Sequence, residues 1–324
     1  MSNEAPVVVT GAQGFIGAAL CARFIESGRP YRGLVRGPIA DVPARPDLIA
    51  IGDLATAPEA DLEAALEGAS AVVHLAGRAH VMREKAPDAE ARFHAANVVA
   101  TQRLLRAALR AGVARFIFAS TVKVHGEASE PGKPFRASDP YAPADAYARS
   151  KVAAEEALLA ACRDTWMRPA ILRLPLVYGP GVKGNFLKLL DAVARRALLP
   201  IGGIVNRRDL LYVGNLTAVI ETLIDERTMR PGAWMVADGE PVSTRDLARD
   251  IAGAMGIAPR IVDVPEALVE LVVGVTGRED LYRRVAGTLE VDCAPIWNLL
   301  GHRPYSPVEG IAATVRWWKL HHAI

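Results

Sequence analysis

Residues 7–17 read Val-Val-Val-Thr-Gly-Ala-Gln-Gly-Phe-Ile-Gly. The β-branched run Val7-Val8-Val9 suits a strand. Behind it, Gly11, Gly14 and Gly17 are spaced G-x-x-G-x-x-G. Gly11 can take the tight turn after the strand, Gly14 lets a pyrophosphate approach the backbone, and Gly17 lets a helix pack closely on the sheet. The helix opening at Phe15, Ile16 and Gly17 then offers unpaired N–H groups to the phosphates. A glycine triplet alone also marks ordinary turns. An apolar strand before it and an amphipathic helix after it are the context of a dinucleotide-binding turn.

Working outward, short β-branched runs alternate with Ala/Leu/Arg stretches. Strands are predicted at 7–9, 31–35, 71–75, 115–119 and 170–174, and helices at 15–26, 61–67, 97–111 and 147–161. Such alternation argues for a parallel sheet covered on both faces, a Rossmann-type, doubly wound α/β fold. After Val177 the rhythm loosens, with Gly and Pro clustered at 179–181 and 200–203 and helices predicted at 186–195, 213–226 and 243–255. The expected organisation is a dinucleotide-binding domain over 1–177. A smaller, mixed substrate-binding region follows over 178–324, part of it free to return to the sheet and the rest roofing the edge where ligands bind.

The second predicted strand ends at Val35-Arg36. An acidic residue there would hold the adenosine ribose hydroxyls of NAD; Arg36 suits a 2′-phosphate and points to NADP, with NAD the other possibility. Arg32 is a weaker candidate for the same role. Asp53-Leu54, read as ending a further strand, place Asp53 either at the adenine amino group or in an ordinary loop. Leu75-Ala76-Gly77 end the strand at 71–75, where backbone would run beside the coenzyme.

Tyr147 and Lys151 lie four apart in Y-A-R-S-K, and residues i and i+4 share a helix face. A free tyrosine has a pKa of about 10, too high for a base at neutral pH. An ammonium beside it is expected to lower that value. Ser120-Thr121 end the strand at 115–119, where a hydroxyl either bonds a reacting oxygen or caps a turn. Arg173, inside an apolar strand, is expected to pair with a buried carboxylate.

The bulk numbers narrow the classes. The chain has 324 residues, 51% of them apolar, and a net charge of +2, too balanced to argue for nucleic acid or an anionic membrane. Cys21, Cys162 and Cys293 are far apart and in no metal-ligand spacing, so no metal is expected and a reducing cytoplasm fits. The polar start M-S-N-E-A-P predicts no secretion leader. The apolar stretch Ala267–Val275 is shorter than the roughly 20 residues that span a bilayer, and reads as a core or substrate-side helix.

Read together, these residues resemble the extended short-chain dehydrogenase/reductase superfamily. Residues 10–17 match its glycine motif, Phe118–Gly126 its F-x-S-[ST]-x-x-V-Y-G segment, and Tyr147/Lys151 its catalytic pair. Leu172-Arg173 with Val177–Gly181, and Arg208-Asp209 with Val213, match its later motifs. The stretches T-V-K-V-H-G-E and G-P-G-V-K-G-N-F-L are similar to those of nucleotide-sugar 4-epimerases and 4-ketoreductases of bacterial surface-polysaccharide pathways. The resemblance implies that Tyr147 is the acid/base, Thr121 orients the reacting oxygen, and Lys151 holds the nicotinamide ribose. It also implies that Asn185 and Arg208 face the substrate diphosphate. By the residues themselves, Asn185 could equally cap its helix. His125 stands where the family has Tyr and is expected to alter the pocket wall. The family's 4,6-dehydratases carry Asp-Glu after the strand-ending Thr, whereas Val122-Lys123 follow here. A homodimer through helices 97–111 and 147–161 is also implied. A non-catalytic NADP-binding regulator of the same fold is the rival reading, and it typically lacks the Tyr/Lys pair.

Overall fold

The computed structural model describes residues 5–37, 47–79, 88–225, 230–264 and 286–322. The apolar stretch 267–275, and parts of the loops 78–95 and 260–285 expected to shape specificity, lie outside these residues. The chain divides into two compact units. Residues 1–125, 140–174 and 217–234 form the first, and 126–139, 175–216 and 235–324 the second.

The first unit opens with β1 (Val7–Thr10), α1 (Phe15–Ser27), β2 (Tyr31–Val35), β3 (Leu48–Ala50), α2 (Glu59–Leu66) and β4 (Ala71–His74). It continues with α3 (Ala89–Phe93), α4 (Ala100–Arg110), β5 (Arg115–Thr121), α5 (Ala146–Cys162) and β6 (Arg168–Leu174). The strands lie in the order β6-β5-β4-β1-β2-β3, each pair parallel, and an edge strand, Gly232–Met235, beside β6 completes a seven-stranded sheet. All four residues of β1 and of β4 are buried, as strands covered on both faces must be. Strand order reverses between β1 and β4, the switch point at whose C-terminal side ligands bind in such sheets. Val8, Val72, Phe116 and Ile171 from the sheet pack with Leu62, Leu104 and Leu158 from helices in one core. Residues 217–225 are tied to α1 and the turn after it by the ion pairs Arg23–Glu221 and Arg29–Asp225.

The helix predicted at 97–111 starts earlier and is not uniform: α3 runs into a π-helical segment, His94–Val99, before α4. Such segments are rare and concentrate at functional sites. Asp53 does not end a strand, because β3 stops at Ala50.

In the second unit, strands Leu176–Tyr178 and Leu210–Tyr212 pair in parallel, as do the two-residue strands Leu198–Leu199 and Arg260–Ile261. Helices Gly184–Ala194, Thr244–Met255, Ala294–Leu300 and Pro307–His321 accompany them. Tyr178 stacks on Phe186 with ring centroids 5.0 Å apart, and buried Asp238 accepts from the Tyr212 N–H and from Asn215 Nδ2.

Candidate active site

A cleft of about 360 Å³ opens at the C-terminal ends of β1, β2 and β4. Of the residues read as coenzyme-binding, Gly11, Gly14, Arg36, Asp53, Leu54, Leu75, Ala76 and Gly77 line it, joined by Gln13, Leu34, Val35, Ile51, Gly52, Ala96 and Ala100. Gln13 and Ala96 carry no chemistry that marks them in a sequence; the fold alone brings them there.

The turn requires its glycines for separate reasons. Gly11 sits at φ +66°, a left-handed conformation that side chains disfavour. A Cβ on Gly17 would stand 2.1 Å from the Gly11 carbonyl oxygen, so α1 can approach the turn only without one. Phe15, Ile16 and Gly17 form the first turn of α1 and do not line the cleft with side chains. Gly14 caps that helix with no side-chain bond to its N–H groups, which stay available to an anion. The cradle and cleft fit the pyrophosphate of a dinucleotide. At the rim, the Arg36 side chain is 76% exposed and lies 3.9 Å from the Asp53 carboxylate, too loose and wet to be fixed by it.

Thr121 ends β5, and Tyr147 and Lys151 lie on the first turns of α5, whose N-cap Asp145 accepts from Ala148 N–H. The Thr121 side chain lies close enough to the Tyr147 phenol to favour its ionised form. Burial pushes that phenol up to about 12, and the Asp145 charge raises it further, against the lowering effect of Thr121. The lowering expected from Lys151 is therefore not what the chain alone delivers. The Lys151 ammonium instead donates to the Ala119 carbonyl at 2.8 Å and sits 4.5 Å above the Phe118 ring. Burial brings Lys151 down to about 8, with Glu155 opposing. Lys151 also borders the cleft, since a Cβ on Gly77 would lie 3.5 Å from its Nζ and 3.0 Å from Asn97 Oδ1.

Asn97, in the π segment, went unnoticed in the sequence. Its side chain accepts from Arg78 N–H at 2.8 Å and donates to Ser150 Oγ at 2.9 Å, while Ser150 donates to the Tyr147 carbonyl.

His125 is buried in a hydrogen-bonded network. It is 5% exposed, with Nδ1 3.0 Å from the Pro140 carbonyl and Nε2 2.8 Å from Arg173. Arg173 is paired as expected, gripping fully buried Glu155 at 2.6 Å, and Ser120 and Tyr141 also donate to that carboxylate. Ser120 thus braces α5 while its neighbour Thr121 meets Tyr147.

Asn185 and Arg208 belong to the second unit. Asn185 is the second residue of its helix, one past the N-cap's successor, so it is not a cap. Arg208 is bridged to Val242 and Leu289, donates to the Gly287 carbonyl at 2.6 Å, and is half-buried, which lowers its pKa. Among the described residues no cluster of potential metal ligands occurs, and no helix is long and apolar enough to cross a membrane.

The chain is 35% identical over 301 residues to a UDP-glucose 4-epimerase of Vibrio cholerae, covering 92% of this chain and 90% of the relative. It is 32% identical to a dTDP-6-deoxy-L-talose 4-dehydrogenase (NAD(P)+) of Kitasatospora kifunensis, over 81% and 82% of the two chains. Among solved structures, MoeE5 in complex with UDP-glucuronic acid and NAD superposes with a TM-score of 0.76 at 26% identity, over 97% of this chain and 99% of that one. The model of the NAD dependent epimerase/dehydratase family matches residues 7–237, and the chain belongs to that family of nicotinamide-dependent enzymes.

Proposed function

We propose that the chain acts at C4 of a nucleotide-activated sugar, a UDP-sugar by resemblance, as an NADPH-dependent 4-keto-sugar reductase. The observation that carries this reading is Tyr147 at the start of α5, its phenol influenced by the Thr121 hydroxyl and with Lys151 one helical turn on, in the unit that also holds the glycine-turn cleft. The bound coenzyme would supply hydride to the sugar carbon. The chain's own part is proton transfer and orientation. A phenol held up to about 12 stays protonated at neutral pH, so Tyr147 is set to donate its proton to the alkoxide oxygen. Thr121 orients that oxygen. Lys151 holds the nicotinamide ribose, and Asn185 and Arg208 take the diphosphate, whose remote binding energy positions the hexose. Arg36 at the cleft rim supports a 2′-phosphate and hence NADP.

A second reading, a 4-epimerase that retains its coenzyme, is favoured by the Vibrio cholerae relative. There Tyr147 would first accept the C4 hydroxyl proton and later return it. A dehydratase is disfavoured, because Val122-Lys123 follow Thr121 where the family's dehydratases carry Asp-Glu, so neither position offers a carboxyl. A non-catalytic regulator is disfavoured by the retained Tyr147 and Lys151. We also propose a cytoplasmic homodimer in surface-polysaccharide synthesis, a reading supported by the subgroup motifs and by exposed Leu159 on α5.

The test is to incubate purified protein with UDP-N-acetylglucosamine and no added coenzyme, following the sugar C4 proton by NMR. UDP-4-keto-6-deoxy sugars with NADPH are assayed in parallel. The reductase reading expects no galacto isomer and consumption of NADPH; a galacto isomer formed without coenzyme would establish the epimerase instead. Tyr147→Phe should abolish turnover and leave coenzyme binding intact. Wild-type turnover in that variant would remove the catalytic assignment.

A further inference from the structure

The first unit holds a buried chain of hydrogen bonds that the proposed reaction does not itself use. Its centre is His74, the last residue of β4, 1% exposed and set between Phe116 and Phe118, with ring centroids at 5.9 and 5.6 Å. Its Nδ1 is 2.7 Å from Thr10 Oγ1, and its Nε2 is 2.9 Å from Thr101 Oγ1.

The ends of the chain determine where each proton lies. A backbone N–H can only donate, and Ala76 N–H points at Thr10 Oγ1 from 3.1 Å. The Thr10 hydroxyl proton is thereby left to go to His74 Nδ1. At the other end, the Asn97 carbonyl can only accept, and Thr101 Oγ1 lies 2.6 Å from it. The single Thr101 proton is committed there, so its oxygen must accept from His74 Nε2–H. The ring is therefore the neutral Nε2–H tautomer. Burial, aided by the Lys151 charge, holds its pKa down to about 3.

The two ends of this chain are the two halves of the site. Thr10 precedes Gly11, and Ala76 lines the cleft. Asn97 holds Arg78 and Ser150, and Ser150 holds the Tyr147 carbonyl. Apolar packing sets how close β4 lies to the π segment; only directional bonds set the register between them.

We propose that His74 is a positioning residue: as a neutral bridge between Thr10 and Thr101, it sets the register of the coenzyme cradle against the segment that carries Asn97 and, through it, Tyr147. This rests on the reading of the cleft as the nicotinamide coenzyme's site.

His74→Phe is the informative variant. It keeps an aromatic ring between Phe116 and Phe118, Thr10 keeps Ala76 N–H, and Thr101 keeps the Asn97 carbonyl, so the unit should fold. NADPH and NADH are titrated against wild type and variant by intrinsic fluorescence, beside thermal melts. The proposal expects coenzyme affinity weakened about 5- to 10-fold, with a melting temperature within about 5 °C of wild type at pH 7.5. Unchanged affinity for both coenzymes would overturn it, because a purely structural histidine would move only the melt.

The second measurement needs no variant. In protein labelled with ¹⁵N-histidine, His74 should show the Nε2–H tautomer and no titration between pH 5.5 and 9. An Nδ1–H tautomer, or titration in that range, would overturn the chain. This readout decides the matter if the Phe variant fails to fold. A wild type that binds neither coenzyme while showing the expected tautomer would mark failure of the functional reading, and the positioning role would fall with it.

Discussion

Two buried histidines lie under this site, and they are wired in opposite senses. His74, beneath the coenzyme cleft, is bonded to two threonine hydroxyls and carries its proton on Nε2. His125, beneath the proton-transfer helix, faces the Arg173 guanidinium, which can only donate. Its Nε2 must accept, and its Nδ1–H goes to the Pro140 carbonyl. The first network is neutral throughout. The second contains a fully buried ion pair, Arg173–Glu155, with Tyr141 and Ser120 completing the carboxylate's partners. A neutral chain can lose a member and leave only hydroxyls behind. Cutting the charged one leaves an ion in the interior, so α5 is held by the more brittle of the two.

The largest expected effect probes that brittleness. Glu155→Gln removes the carboxylate that Arg173 grips and should destabilise the protein by about 3–5 kcal/mol in urea unfolding. A loss below about 1 kcal/mol would erase the contrast between the networks.

Next is an acid dependence carried by His74. Its folded pKa of about 3 lies below the ordinary value of 6.5, so between these values the unfolded chain binds more protons. Stability should therefore fall as the pH drops from 6.5 towards 3, by up to about 1.4 kcal/mol per pH unit from this group. His74→Phe should flatten that part of the profile; an unchanged acid slope would show that His74 is not kept neutral by the fold.

His125→Phe should cost about 1–3 kcal/mol, because it removes an acceptor from a buried guanidinium while leaving Glu155 in place. It should move coenzyme affinity less than His74→Phe does, which sharpens the division of labour between the two rings. The smallest effect belongs to the rim. Asp53→Asn breaks the exposed pair with Arg36 and should change stability by less than about 0.5 kcal/mol in the same urea assay. A loss comparable to that of Glu155→Gln would mean that burial is not what separates these ion pairs.

Much of the first unit was legible before the fold was known. The glycine turn, the Tyr147/Lys151 pair and the strand runs are short-range patterns, and eight of the predicted coenzyme residues do line one cleft. Arg173 was expected to meet a buried carboxylate and does. The partner of His125 was not legible, because a lone histidine gives no sign of a residue that lies 48 positions on. Asn97 was missed because a π segment has no periodicity of its own to read.

The sequence by itself determined the alternation of strand and helix, the need for glycine at 11 and 17, and the common face of Tyr147 and Lys151. Each depends on residues within a turn or two, where sterics and helical period act. Only the tertiary structure decided that burial raises Tyr147, that Lys151 turns to the Ala119 carbonyl, and which nitrogen of each buried histidine carries the proton. Those outcomes depend on desolvation and on partners that the fold brings together from 15 to 64 residues apart, and no local pattern encodes them.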